Sequence, residues 1–164
     1  MLNAEDLLQR FSAHITNCKS APFVCSTRAS FESWFRVELF PVLCELGCPT
    51  ESIDTDFNYP NSGNKADLCV TSEAEQIVFE LKCFVAGAHA HKKVCYPGQT
   101  KRLEQLFMTH AIQQALAVTT FYGYSETQMR NYTSVFFEST SWKIAGPFKI
   151  VDQYPLRMAV ASLP

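Results

Sequence analysis

The sequence predicts an α/β (α+β mixed) fold: a central mixed sheet of about four to five strands flanked by helices. Three observations carry this. The first third of the chain repeats its apolar residues at helical spacing, and near residue 52 the period drops to two. Two strand-like runs then follow each other across a short polar connection, residues 66–71 and 76–84. A helical segment, 99–115, leads into a β-rich run, 116–124. A chain of 164 residues, 47% hydrophobic and 18% charged, suits one ordinary globular domain with a sizeable core. The expected organisation is a single domain over 1–164, with residues 1–18 as an appended N-terminal helix.

Each element has its own local reason. Residues 4–18 place Leu7, Leu8, Phe11 and Ile15 on one helical stripe. Residues 20–27, with Pro22, read as a loop. Residues 30–46 read as a second helix, with Ser30 as N-cap and a stripe through Phe31, Trp34, Phe35, Leu39, Val42, Leu43 and Leu46. Ser33 stands three residues after the cap, so no capping box forms. Gly47 suits the residue after the helix end, and Pro41 predicts a kink or two shorter helices. Residues 52–58 alternate and end at Tyr59-Pro60, and Asn61 to Asn64 is a turn cluster. Residues 87–98 read as a loop and 126–137 as a helix. Residues 148–151 and 157–161 read as late strands.

Composition narrows the functional classes. The first residues carry Glu5 and Asp6 before any apolar stretch, which is not a secretory signal, and no apolar run is long enough to span a bilayer. The expected location is cytoplasmic, with no membrane partner. The seven cysteines are odd in number and form no C-x-x-C pair. Free thiols explain them better than a disulfide framework or a structural zinc site. A net charge of −2 is not that of a protein that coats nucleic acid. Yet Lys82, Lys92, Lys93, Lys101 and Arg102 fall between positions 82 and 102, a local basic strip able to grip phosphates. There is no P-loop, dinucleotide fingerprint or G-x-S-x-G elbow.

The sharpest feature is Gln76-Ile77-Val78-Phe79-Glu80-Leu81-Lys82-Cys83-Phe84. On a strand, Val78, Glu80, Lys82 and Phe84 share one face. A carboxylate and an ammonium therefore sit next but one on a strand built for burial, where charge is costly unless paired or metal-bound. Asp67 interrupts the preceding apolar run in the same way. In a hairpin, register decides whether it joins them. A two-residue loop at Glu73-Ala74 sets Asp67 opposite Glu80, and a four-residue loop sets it opposite Lys82. A three-residue loop separates them. Two converging carboxylates suit Mg²⁺ or Mn²⁺, and a neighbouring lysine can act on a water or on phosphate charge.

Asp67…Glu80-Leu81-Lys82 resembles the signature of the PD-(D/E)XK nuclease superfamily, with Ala66 where the nominal proline would stand. The resemblance covers roughly residues 30–124. It implies a restriction-endonuclease-like fold and a Mg²⁺- or Mn²⁺-dependent endonuclease, acting on DNA rather than RNA. Asp67, Glu80 and the Leu81 backbone carbonyl would hold the metal, and Lys82 would act on the attacking water. A helical glutamate, Glu38 first and Glu32 second, would bind a second metal or orient a metal-bound water. Lys65, Lys92, Lys93, Gln99, Lys101 and Arg102 would contact nucleic acid. A homodimer or a larger assembly fits the same resemblance.

Plainer readings compete. Glu80 and Lys82 would suit an exposed edge-strand salt bridge, although Val78 and Phe84 share their face. Asp67 would suit a turn that starts at Asn61, and Glu38 a solvated helix position. His89-x-His91 with Cys95 lacks a fourth ligand and suits a loop better than a metal site. Lys101 and Arg102 near a helix N-terminus oppose the helix dipole, a local conflict of the kind found at sites. The alternative to a nuclease is a catalytically inactive nucleic-acid-binding or assembly module on the same fold. A third reading is a metabolic enzyme or protein-binding domain in which E-x-K is coincidence.

Overall fold

In the computed structural model, six strands form one open mixed sheet in the order β1-β2-β3-β4-β6-β5, and five α-helices pack against it. All residues are described except 28–30, 56, 60–62, 64, 74, 88–89, 110–111, 139–140, 152–154 and 164, together with the side chains of 26, 90–95, 149 and 151. In chain order the elements are α1 (Ala4–Asn17), α2 (Ala21–Ser26), α3 (Glu32–Glu45), a 3₁₀ turn (Thr50–Ser52), β1 (Ile53–Asp54), β2 (Leu68–Thr71), β3 (Gln76–Val85), α4 (Ala90–Met108), β4 (Gln114–Tyr122), α5 (Glu126–Phe136), β5 (Lys143–Val151) and β6 (Leu156–Leu163).

β1, β2 and β3 pair antiparallel. β3 and β4 run parallel, joined by the crossover that contains α4, and β6 lies antiparallel between β4 and β5. The sheet separates two cores. Alternate β3 residues Ile77, Phe79, Leu81, Cys83 and Val85 join Leu7, Leu8, Phe11 and Ile15 of α1 and Phe35, Leu39, Val42 and Leu43 of α3. The helix expected as an appendage thus buries its whole apolar stripe in this core. Val78 and Phe84 belong to the opposite core, with Tyr96 and Leu103 of α4 and Met129 and Phe136 of α5.

Capping explains two helix starts. Asn3 Oδ1 accepts from the backbone N–H groups of Glu5 and Asp6. Ser125 and Gln128 form a reciprocal capping box at α5. Ser30, the expected cap of α3, lies outside the described residues. Phe31 occupies the cap position and makes no side-chain cap bond.

Several expectations are corrected. The sheet has six strands rather than four or five. Residues 20–27 contain the short α2, with Pro22 in its first turn, where a missing N–H costs nothing. α3 continues through Pro41 as one helix, held on the core by Leu39, Val42 and Leu43. Within the expected loop 87–98, residues 90–98 are helical instead: α4 starts at Ala90 and continues past Pro97 to Met108. Fully buried Tyr96 anchors this turn against Phe84 and Phe136, and Thr100 Oγ1 donates to the carbonyls of Pro97 and Phe136. Tertiary packing overrides the local breaker signal. Gly146-Pro147 hid the first half of β5 in the same way. β5 is an edge strand, and its register shifts between Ala145 and Phe148, so the ladder accommodates proline there. No described helix is long and apolar enough to cross a membrane.

Candidate functional site

The site begins where β2 leaves β3. Their pairing runs from Thr71–Gln76 to Leu68–Phe79 and then stops. The Ser72 N–H donates to the Glu75 carbonyl at 2.9 Å, so the connection is the two-residue one at 73–74. That register continues one step to set Asp67 against Glu80. From Glu80 to Val85, β3 pairs only with β4 among the described residues.

Side chains serve the open edge of β3 in place of a strand. Asp67 Oδ2 accepts the Leu81 N–H at 2.8 Å. Glu32 Oε1, from the first turn of α3, accepts the Cys83 N–H at 3.3 Å. The other Glu32 oxygen lies 3.6 Å from Lys82 Nζ. Both partners of that pair are largely covered, with side-chain exposures of 14% for Lys82 and 23% for Glu32. Arg36, one helical turn after Glu32, donates from Nη1 to the Asp67 carbonyl at 3.5 Å.

Glu80 lies inside this cluster. Its carboxyl is pushed up to about 7, first by burial and then by the charge of Asp67, against the opposing effects of the Tyr59 hydroxyl and Lys82. Tyr59 donates its O–H to Glu80 Oε1. Burial and the neighbouring Glu80 push the phenol far above its ordinary value, so it stays protonated. A cavity of about 170 Å³ opens over the pair, lined by Tyr59, Lys65, Asp67, Glu80, Lys82, Gln99, Arg102 and Leu103. Gln99 Oε1 is buried there without a hydrogen-bond partner.

Of the residues singled out by sequence, Asp67, Glu80, Lys82, Lys65, Gln99 and Arg102 come together. Glu38 does not: its carboxylate meets His14 Nε2 at 2.7 Å and Cys18 Sγ at 3.6 Å, against α1. Six residues at 100° each put Glu38 about a third of a turn away from Glu32. The helical glutamate beside the trio is therefore Glu32, the second choice. Lys101 is also displaced. It sits one residue round the helix from Arg102 and lines a separate groove with Pro97, Thr100, Glu104 and Val135. The side chains of Lys92, Lys93, His91 and Cys95, and all of His89, lie outside the described residues.

Sequence reasoning missed Tyr59 and Arg36. Tyr59 had a signal, a large aromatic residue beside a polar turn cluster. Arg36 had one in its spacing of four from Glu32. None of the six cysteines whose side chains are described forms a disulfide. Among the described residues, no group of three or more His, Cys, Asp or Glu stands ready to hold a metal. Asp67 and Glu80 form a pair, and Glu32 faces Lys82. No family model, curated protein or solved structure gives a significant match to the chain.

Proposed function

We propose that this protein is a metal-dependent nuclease that hydrolyses phosphodiester bonds, with DNA as its substrate, on a restriction-endonuclease-like fold. The observation that carries the reading is one cavity holding Asp67 and Glu80 side by side with Lys82 at its wall. The order α3, β1 to β3, α4, β4 agrees with the resemblance stated above.

The residues fit a hard divalent cation. Two adjacent carboxylates, one of them driven toward its protonated form by burial and then by the charge of the other, are a donor set that Mg²⁺ or Mn²⁺ relieves. Asp67 and Glu80 would hold the ion. The Leu81 carbonyl is a candidate third ligand, since N–H and C=O of one strand residue leave on the same side and the Leu81 N–H already points to Asp67. When bound, the ion would supply Lewis-acid activation of phosphate and water. Few protein ligands suffice, because Mg²⁺ keeps several waters and takes phosphate oxygens.

Lys82 donates to the attacking water or to a phosphate oxygen, and Glu32 holds its ammonium in place. Lys65 and Arg102 stand at the cavity as phosphate contacts, and the Gln99 carbonyl oxygen can accept from water. The water oxygen forms the new P–O bond as it gives up one proton to solvent, the ester P–O bond breaks, and the leaving oxygen takes up a proton from solvent water.

The test is cleavage of plasmid, linear and single-stranded DNA and of RNA, with Mg²⁺ or Mn²⁺, at defined salt. Activity that is lost in Asp67→Ala and Lys82→Ala supports the reading, and activity unchanged in both sinks it. The two-carboxylate count favours one second reading, a binding or assembly module without chemistry. That module would bind nucleic acid but not Mn²⁺, whereas a catalytic site binds Mn²⁺ and loses affinity on Glu80→Ala.

A further inference from the structure

Tyr59 reaches Glu80 from outside the hairpin that carries the three signature residues. It stands in the β1–β2 connection, yet its ring is only 3% exposed and packs in the core that contains Ala66, Cys69 and Val78. The connection is pinned at its base. The Ala66 N–H donates to the Phe57 carbonyl at 2.9 Å, and Asn58 bridges Lys65. The ring therefore has a fixed position, and its hydroxyl is aimed at one carboxylate oxygen at the cavity wall. A donor delivered this rigidly restrains the carboxylate, which would otherwise rotate about its terminal torsion.

We infer that Tyr59 is a positioning residue that fixes the Glu80 carboxylate for metal binding through a hydrogen bond to Oε1. This rests on the metal-site reading of Asp67 and Glu80. Partners that orient a ligating carboxylate typically contribute about 10- to 100-fold in metal affinity or activity. Tyr59 does not touch the reacting atoms in this scheme. Its effect runs through Glu80.

The experiment measures Mn²⁺ affinity by calorimetry, and kcat and KM on single-stranded and plasmid DNA across Mn²⁺ concentrations. It compares the full-length wild type, Tyr59→Phe and Tyr59→Leu. The expected result for Tyr59→Phe is an unchanged Tm, Mn²⁺ affinity about 10- to 100-fold weaker, an unchanged KM for DNA, and kcat restored by raised Mn²⁺. Tyr59→Leu should show the same metal defect with a lower Tm, because it also empties the ring site. A Tyr59→Phe protein that binds Mn²⁺ like wild type, while Tyr59→Leu is only destabilised, overturns the inference and leaves the ring a packing role. A wild type that binds no Mn²⁺ fails differently: it removes the metal site itself, and Tyr59 with it.

Discussion

The two halves of β3 obey different rules. Over residues 76–79 the strand is flanked by β2 and β4, and Ile77, Val78 and Phe79 are buried among apolar side chains. From Glu80 onward β2 is gone, and the N–H groups of Leu81 and Cys83 bond to the carboxylates of Asp67 and Glu32. A buried strand edge must satisfy its polar backbone. Here charged side chains do so, and this concentrates acids beside Lys82. The same substitution that completes the backbone hydrogen bonding thus assembles the candidate site.

The largest effects should separate chemistry from folding. Asp67→Ala should abolish cleavage, and Lys82→Ala should lower kcat by about 10²- to 10³-fold, with Tm changed far less. Steady-state cleavage alongside thermal melts checks both. The paired half of β3 should behave oppositely. Phe79→Ala should destabilise by about 3–5 kcal/mol in denaturant titration, as expected for truncating a fully buried ring.

Next comes pH. The folded-state value of Glu80, about 7, lies above its ordinary 4.5. Its contribution to stability is therefore complete below pH 4.5 and is lost as pH rises through 7. Without divalent cations, wild type should lose stability relative to Glu80→Gln between those limits, by on the order of 3 kcal/mol. Melts at pH 4.5 and 8 in chelator test this, and a Glu80→Gln curve parallel to wild type would refute the burial of the pair. Added Mn²⁺ should reverse the loss at pH 8.

The smallest contrast is on α3. Glu32→Gln keeps an acceptor for the Cys83 N–H but removes the charge beside Lys82, and it should cost about tenfold in kcat. Glu38→Gln should leave cleavage unchanged. A larger defect in Glu38→Gln than in Glu32→Gln would reverse the assignment made from their contacts.

Local sequence determined a good deal. The stripe Leu7, Leu8, Phe11, Ile15 set α1, and the alternation in 76–84 put Glu80 and Lys82 on one face, because helix and strand periods depend only on backbone geometry. It left Asp67 conditional on the parity of a loop, and only the folded hairpin settled that as two residues. The choice between Glu32 and Glu38 was likewise beyond local pattern, since both are acids on one helix and the rotation of α3 about its axis is set by packing against β3 and α1. Tyr59 lies 21 residues from Glu80, and the β1–β2 connection brings it back over the site. The helix through Pro97 and the strand around Gly146-Pro147 contradict their own local signals. Buried Tyr96 and the pairing with β6 outweigh those signals, because contacts distant in the chain supply most of the energy that orders a segment.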